Sequence, residues 1–168
     1  VWTTFAGTGE PGDTGDGGPA TEAQLYSPDG LAVDADGNVY IADTGNDRVR
    51  RVDAVTGMIT TVAGGAEWGA HSPDGGQATE VFLSSPMNVD VDGAGNLYIA
   101  DGFSHRVRRV DAATGIITTV AGTIEIDPLG KPVVGSPCDS GPATGAYLKH
   151  PKGVAVDEAG NLYISDSE

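Results

Sequence analysis

A near-identical internal repeat is the feature that most constrains the fold of this chain. Residues 38–64 read NVYIADTGNDRVRRVDAVTGMITTVAG and residues 96–122 read NLYIADGFSHRVRRVDAATGIITTVAG, so the copies align without a gap, 58 residues apart. A third copy starts at Asn161 with NLYISDSE. The connecting segments DGGPATEAQL, DGGQATEVFL and DSGPATGAYL repeat as well, at residues 16–25, 74–83 and 139–148. A repeat of this length indicates one supersecondary unit that needs its neighbours to bury its apolar face.

Each full unit contains four short runs rich in β-branched and aromatic residues, which favour strands. In the first unit these runs are residues 30–34, 38–42, 48–52 and 58–62. Glycine-containing turns join the first run to the second and the third to the fourth, and no stretch has a sustained helical period. Four antiparallel strands per repeat are typical of a propeller blade, a sandwich or a solenoid coil. Parallel solenoids use shorter coils without hairpins, and a sandwich does not require near-identical copies. We therefore expect an all-β fold, a β-propeller of four-stranded antiparallel blades.

The repeat boundaries predict a single β-propeller segment over residues 1–168, with about three blades. Blades are expected at residues 28–64 and 86–122, with the first half of a further blade at residues 151–168. Residues 1–7, which match the end of the repeat, are interpreted as the last strand of a preceding blade. Because closure takes roughly 4–8 blades, open blade edges are expected to pair with a longer polypeptide or to self-associate.

The residues of the repeat resemble a known family. The pattern Pro-x-Gly-(Leu/Val)-Ala-Val-Asp, then Gly-Asn-Leu-Tyr-Ile-Ala-Asp, then (Asn/Ser)-x-Arg-Val-Arg-Arg-Val is similar to the NHL repeat, with long connectors like those of bacterial NHL proteins. The second copy departs from it, because Asn88 and Asp90 replace the Gly and Ala of the other copies. The resemblance implies a six-bladed ring that serves as an interaction platform. It also leaves open RNA binding through a basic face, or a lactonase or lyase with a metal in the central channel.

The charge of the chain argues against nucleic acid as a partner. Asp and Glu number 24 against 9 Lys and Arg, a formal net charge of −15, which repels phosphate backbones and anionic membranes. Most of the positive charge belongs to arginines that alternate with valines, and these are expected to pair with neighbouring aspartates. No apolar run is long enough for membrane insertion. Composition and the resemblance together predict an extracellular or periplasmic location.

The candidate binding residues are repeated acids and loop aromatics. Asp43, Asp101 and Asp166 end the second strand of each copy, where they either line a rim that attracts cations or basic partners, or accept main-chain N–H bonds from the following turn. The loops, where binding residues concentrate, contribute the other candidates, namely Trp68, Phe103 and His105.

The sequence predicts no cofactor and no catalytic residues. The turn that starts at Asp34 superficially resembles a calcium loop, but the other copies lose its second acid, so a hairpin turn is favoured. The three histidines are dispersed, and no nucleophile motif occurs. We therefore expect a non-enzymatic binding or scaffold module that recognises a protein or glycan through its rim loops. The alternatives are a self-assembling subunit of a ring or extracellular filament, and a metal-dependent enzyme resembling a lactonase or lyase.

Overall fold

Three antiparallel β-sheets follow one another in the computed structural model, which describes residues 2–67, 73–123 and 141–167. The first sheet has the order β1-β2-β3-β4, the second β5-β6-β7-β8, and the third pairs β9 with β10. The strands are β1 Leu31–Val33, β2 Val39–Asp43, β3 Arg48–Val52, β4 Ile59–Gly64, β5 Pro86–Val91, β6 Leu97–Asp101, β7 Arg106–Val110, β8 Ile117–Ala121, β9 Pro151–Val156 and β10 Leu162–Asp166. The helical segments of the described residues are single 3-10 turns at Ala20–Glu22, Thr44–Asn46, Ala78–Glu80, Gly102–Ser104 and Ala143–Gly145. The predicted all-β propeller fold is confirmed.

The turn between the first two strands of each blade is closed by its aspartate and asparagine. In the first blade Asp34 accepts the main-chain N–H of Asp36 at 3.0 Å and that of Asn38 at 2.9 Å. The Asn38 side chain donates to Asp34 at 2.8 Å and accepts the N–H of Ala54, which ties this turn to the turn between β3 and β4. Burial alone would raise the pKa of Asp34, but the hydrogen bonds from Asn38 and Asp36 outweigh it and the pKa is lowered. The carboxylate oxygens of Asp34, which suggested a calcium loop, therefore accept hydrogen bonds within the hairpin turn.

The core lies between adjacent sheets. Ala32 and Val49 of the first blade form one buried cluster with Val89 and Ile99 of the second. A second cluster joins the second blade to Val154 of the third. The blades thus bury apolar side chains against their neighbours, as the repeat requires, and the first blade also packs Ile41, Val52 and Ile59 against Ala20 and Ala23 of its connector.

The connectors run along the outer strands. In the first blade the N–H of Gly17 donates to the carbonyl of Ile59 at 2.8 Å, and the N–H of Ile59 donates to Gly18 at 3.0 Å. The second blade repeats this arrangement with its own connector at Ile117. The outer edges of β4 and β8 are therefore paired with their connectors at Ile59 and Ile117, which corrects the expectation of open blade edges at these two residues.

The first residues of the chain make one contact that recurs after the second blade. Residues 2–7 contain no strand. The N–H of Gly7 nevertheless donates to the carbonyl of Ala20 at 2.9 Å, as the N–H of Gly122 does to Ala143 at 2.9 Å after the second blade. Gly122 directly follows a fourth strand, and Gly7 makes the equivalent hydrogen bond. The assignment of residues 1–7 to the end of a preceding blade stays a prediction.

Candidate functional site

The three repeated aspartates fix the connectors to the blades. Asp43 accepts the main-chain N–H of Tyr26 at 2.7 Å, and Asp101 accepts that of Ser84 at 2.7 Å. Asp166 accepts the N–H of Lys149 with both oxygens, at 2.8 and 2.9 Å. Each donor lies 17 residues before its aspartate. The expected main-chain partner therefore exists, but it belongs to the preceding connector rather than to the following turn.

Burial separates these aspartates into two groups. Asp43 and Asp101 are fully buried, with Arg50 at 3.5 Å from Asp43 and Arg106 at 3.6 Å from Asp101. Burial raises the pKa of Asp101, although the Ser84 N–H and Arg106 oppose the shift. Carboxylates held in this way do not face a ligand, which corrects the interpretation of Asp43 and Asp101 as acids on an open rim. Asp166 is exposed.

The structure brings three aromatic side chains together where the second and third blades meet. We call Phe103, His105 and His150 the junction cluster. The Phe103 and His150 rings meet edge to face, with centroids 5.1 Å apart and an interplanar angle of 89°. The His105 and His150 rings lie 4.7 Å apart at 61°. Two predicted site residues thus meet a histidine from the next connector, whereas Trp68 lies outside the described residues.

Backbone conformation places the two histidines of the junction cluster. His105 follows the 3-10 turn after β6 with φ 55°, and His150 precedes β9 with φ 60°. The main-chain N–H of His150 donates to Nδ1 of His105 at 3.3 Å, and Ser167 donates to the carbonyl of His150 at 3.2 Å. Burial lowers the pKa of His105, and the nearby His150 lowers it further, whereas Asp166 opposes both. The aligned repeats contained the signal for this pair, because His105 occupies the position of Asp47 in the first copy.

A cavity of about 250 Å³ opens beside the junction cluster. It lies at the end of the blades where the connectors enter, and it is lined by Met87, Gly102, Phe103, His150, Lys152 and Ser167. Phe103 is 58% exposed there. Sequence reasoning missed Met87 and Lys152. Each is the second residue of the first strand of its blade, and the equivalent residue of the first copy is Asp29. Three different residue types at one repeat position are the signal that could have identified them.

Two further properties bear on function. In the residues that the structure describes, no group of three or more His, Cys, Asp or Glu side chains could hold a metal ion. No helix of that same part of the chain is long and apolar enough to cross a membrane. The metal-dependent alternative stays a hypothesis.

Comparison with protein families and curated proteins gives consistent relatives. The model of the teneurin NHL domain matches residues 2–73. The chain is 31% identical to teneurin-m of Drosophila melanogaster, over 99% of this chain and 6% of that protein. It is 28% identical to NHL repeat-containing protein 2 of Bos taurus, over 97% of this chain and 22% of that protein. It is also 28% identical to SUPPRESSOR OF QUENCHING 1, chloroplastic, of Arabidopsis thaliana, over 99% of this chain and 15% of that protein. The chain therefore spans less than a quarter of the length of these relatives.

Solved structures share the fold, and the chain covers about a third of each of the two given below. A protein of unknown function from Bacteroides thetaiotaomicron superposes with a TM-score of 0.64 at 26% identity, covering 82% of this chain and 32% of that chain. An auxiliary nutrient binding protein from Bacteroides ovatus superposes with a TM-score of 0.61 at 22% identity, covering 88% of this chain and 36% of that chain. At the latter identity the likeness concerns the fold alone.

Proposed function

Because the chain belongs to the NHL-repeat family of β-propeller proteins, we propose that it acts as a binding module that recognises a protein or glycan through the rim beside the junction cluster. Rigid propeller blades position the loops at this rim, and loops on a rigid scaffold are where binding residues concentrate. The proposal also places the protein outside the cytoplasm, on the basis of its acidic composition and its repeat type. Fractionation of cells that produce the intact protein tests that location.

The observation that carries this proposal is the exposed Phe103 ring held against His150 at the mouth of the cavity. An exposed aromatic ring that is already fixed by a neighbour loses little conformational entropy when a ligand covers it. At the equivalent position of the first blade stands Gly45, over which Tyr26 packs closely. The second blade therefore presents an aromatic ring to solvent from a turn position that carries no side chain in the first blade.

Glycan and peptide arrays probed with the intact protein test the proposal. We expect Phe103→Gly, which introduces the residue of the first blade, to weaken the strongest interactions by about tenfold or more. Val55→Ala is the matched control, because Val55 is 93% exposed at the opposite end of the first blade. An array signal that Phe103→Gly leaves at the wild-type level would refute the proposal.

A second candidate function, self-assembly, is favoured by exposed apolar side chains on the outermost sheet faces. Leu31 and Val33 of β1 are 64% and 58% exposed, and Tyr163 of β10 is 61% exposed. These side chains occupy blade faces of the kind that neighbouring blades cover inside the chain. The mass of the intact protein in solution tests this candidate. A single monomeric species across a hundredfold range of concentration would exclude it.

A further inference from the structure

The arginines of the chain are all neutralised by aspartates. Arg50 and Arg108 are fully buried, and they pair with connector aspartates, Arg50 with Asp16 at 2.6 Å and Arg108 with Asp74 at 3.1 Å. The remaining arginines pair with aspartates at 3.2 to 3.6 Å; they are Arg48, Arg51, Arg106 and Arg109. These guanidinium groups stabilise the blades, so they do not form a cationic surface for a ligand.

The lysines behave differently. Over residues 2–67, 73–123 and 141–167 the lysines are Lys149 and Lys152, both exposed, and neither takes part in an ion pair there. Lys152 lines the cavity beside the junction cluster. The carboxylate of Asp166, which pairs with Pro151 across the β9–β10 ladder, already accepts the main-chain N–H of Lys149 with both oxygens. In a chain of net charge −15, positive charge without an ion-pair partner among the described residues thus lies at a cavity that also presents the exposed Phe103 ring.

The walls of this cavity combine two kinds of surface. Phe103 and Met87 contribute apolar side chains to the lining, whereas Ser167, His150 and Lys152 contribute polar ones. A volume of about 250 Å³ is smaller than the cavities that hold drug-sized ligands, so it suits one ring-sized group of a larger ligand. A sugar ring with a carboxylate offers matching surfaces, because one of its faces is made of C–H groups and its substituents are hydroxyls and one negative charge.

We propose that this cavity binds the carboxylate-bearing sugar unit of an acidic glycan. Lys152 pairs with the carboxylate, Phe103 covers the C–H face of the ring, and Ser167 and His150 lie within the same cavity to meet its hydroxyls. Charge complementarity selects the ligand, since the acidic surface repels polyanions elsewhere and Lys152 brings a cation without an ion-pair partner among the described residues to the cavity wall. The inference rests on the proposed function and specifies the ligand class of the same rim.

Calorimetric titration of the intact protein at low salt tests this inference. The probes are trigalacturonic acid and the galactose trisaccharide obtained by reducing its carboxylates. We expect the acid to bind at least about tenfold more tightly than the reduced sugar, because only the acid pairs with the ammonium group. Lys152→Met, which introduces the residue found at this position in the second blade, is expected to abolish that preference.

Lys149→Met is the matched control, because it removes the same charge from a residue that does not line the cavity. It is expected to preserve the preference for the acid to within about threefold, the size of a screened long-range effect. Equal affinity of the wild-type protein for the two trisaccharides would overturn the inference. An equal loss of the preference for the acid in Lys152→Met and Lys149→Met would also overturn it. Binding of a glutamate-containing peptide but of neither sugar would also overturn it, while the proposed function would stand if that binding needs Phe103. Both lysine variants should melt at the wild-type temperature, since both side chains are exposed.

Discussion

The main-chain N–H of His150 donates to Nδ1 of His105 at 3.3 Å across the junction of the second and third blades. At the preceding junction, the N–H of Ser85 donates to the carboxylate of Asp47 at 2.7 Å. The two acceptors occupy the same repeat position and share a left-handed backbone, with φ 52° at Asp47 and 55° at His105. A carboxylate accepts at any pH above its low pKa, whereas Nδ1 accepts only while it is unprotonated. The hydrogen bond at the second junction is therefore lost when His105 is protonated.

We predict that the melting temperature of the intact protein falls as the pH drops below about 6.5. Burial and His150 lower the pKa of folded His105 below its unfolded value. In the pH window between the folded and the unfolded pKa, the unfolded chain binds more protons than the folded protein. The contribution of His105 to the free energy of unfolding is therefore fully present above the unfolded pKa and decreases as the pH falls toward the folded pKa. Differential scanning fluorimetry from pH 8 to pH 5 measures this effect.

The matched variant for this prediction is His105→Asp, which installs the acceptor of the first junction. It should reduce the loss of melting temperature in that window, because the carboxylate stays ionised there. A wild-type pH profile in His105→Asp would contradict the assignment of the effect to His105.

The two residues at which the second copy departs from the repeat pattern, Asn88 and Asp90, accept hydrogen bonds from the third blade. Asn88 accepts the main-chain N–H of Val154 at 3.1 Å, and Asp90 accepts that of Val156 at 2.8 Å. We predict that Asp90→Ala, which introduces the residue of the other copies, destabilises the protein by about 1–3 kcal/mol and accelerates hydrogen exchange at Val156. Amide exchange followed by mass spectrometry measures both blades in one sample. The amide of Ala42, which donates to Gly30 at 2.8 Å, is the internal control and should exchange at the wild-type rate.

The connector aspartate Asp74 holds the outer strand and a buried arginine together. One carboxylate oxygen accepts from Arg108 at 3.1 Å, and the other accepts the main-chain N–H of Thr119 at 2.9 Å. Burial lowers the pKa of Arg108 to about 10, Arg106 adds to the shift, and Asp101 and Asp74 oppose it. We predict that Asp74→Ala lowers the free energy of unfolding by about 1–3 kcal/mol, because it removes a hydrogen-bonded partner from a buried charge.

Urea unfolding measures the effect of Asp74→Ala, with Asp13→Ala as its control. Asp13 pairs with Arg48 at 3.5 Å, and its side chain is 60% exposed, so its removal should change the stability by less than about 1 kcal/mol. Equal effects of the two substitutions would show that the connector contact of Asp74 contributes no more than a surface ion pair.

Gly122 lies where the second blade passes into its connector. Its φ is 86°, and a Cβ at this position would collide with the carbonyl of His105 and lie 2.7 Å from the Cα of Arg106. We predict that Gly122→Ala destabilises the protein by about 2–4 kcal/mol, through backbone strain and a steric clash that displaces the His105 turn. Gly57→Ala, with φ 68° and no atom within 4 Å of the added Cβ, isolates the strain and should cost about 1 kcal/mol. Thermal melting compares the two variants, and equal losses would show that the contact with the His105 turn does not matter.

Within residues 28–64, 86–122 and 151–168, the sequence by itself determined the order and type of the strands. Period-two alternation and turn glycines act over a few residues, so the runs at residues 30–34 and 38–42 could be read as strands from local chemistry alone. The observed sheets lie within residues 28–64 and 86–122, with β9 and β10 inside residues 151–168. The sequence also named Phe103 and His105 as candidate binding residues, because binding residues concentrate in loops, and their role in binding stays a prediction.

Only the tertiary structure decided which side chains meet across blades and which face solvent. The repeat placed Asp43 at the end of a strand, but its burial depends on the connector that arrives 17 residues earlier in the chain. The contact of His105 with His150 joins residues 45 apart. No local pattern encodes such a distance, because it follows from how one blade stacks on the next. Lys152 and Met87 form one cavity for the same reason, since neighbouring blades bring equivalent repeat positions side by side.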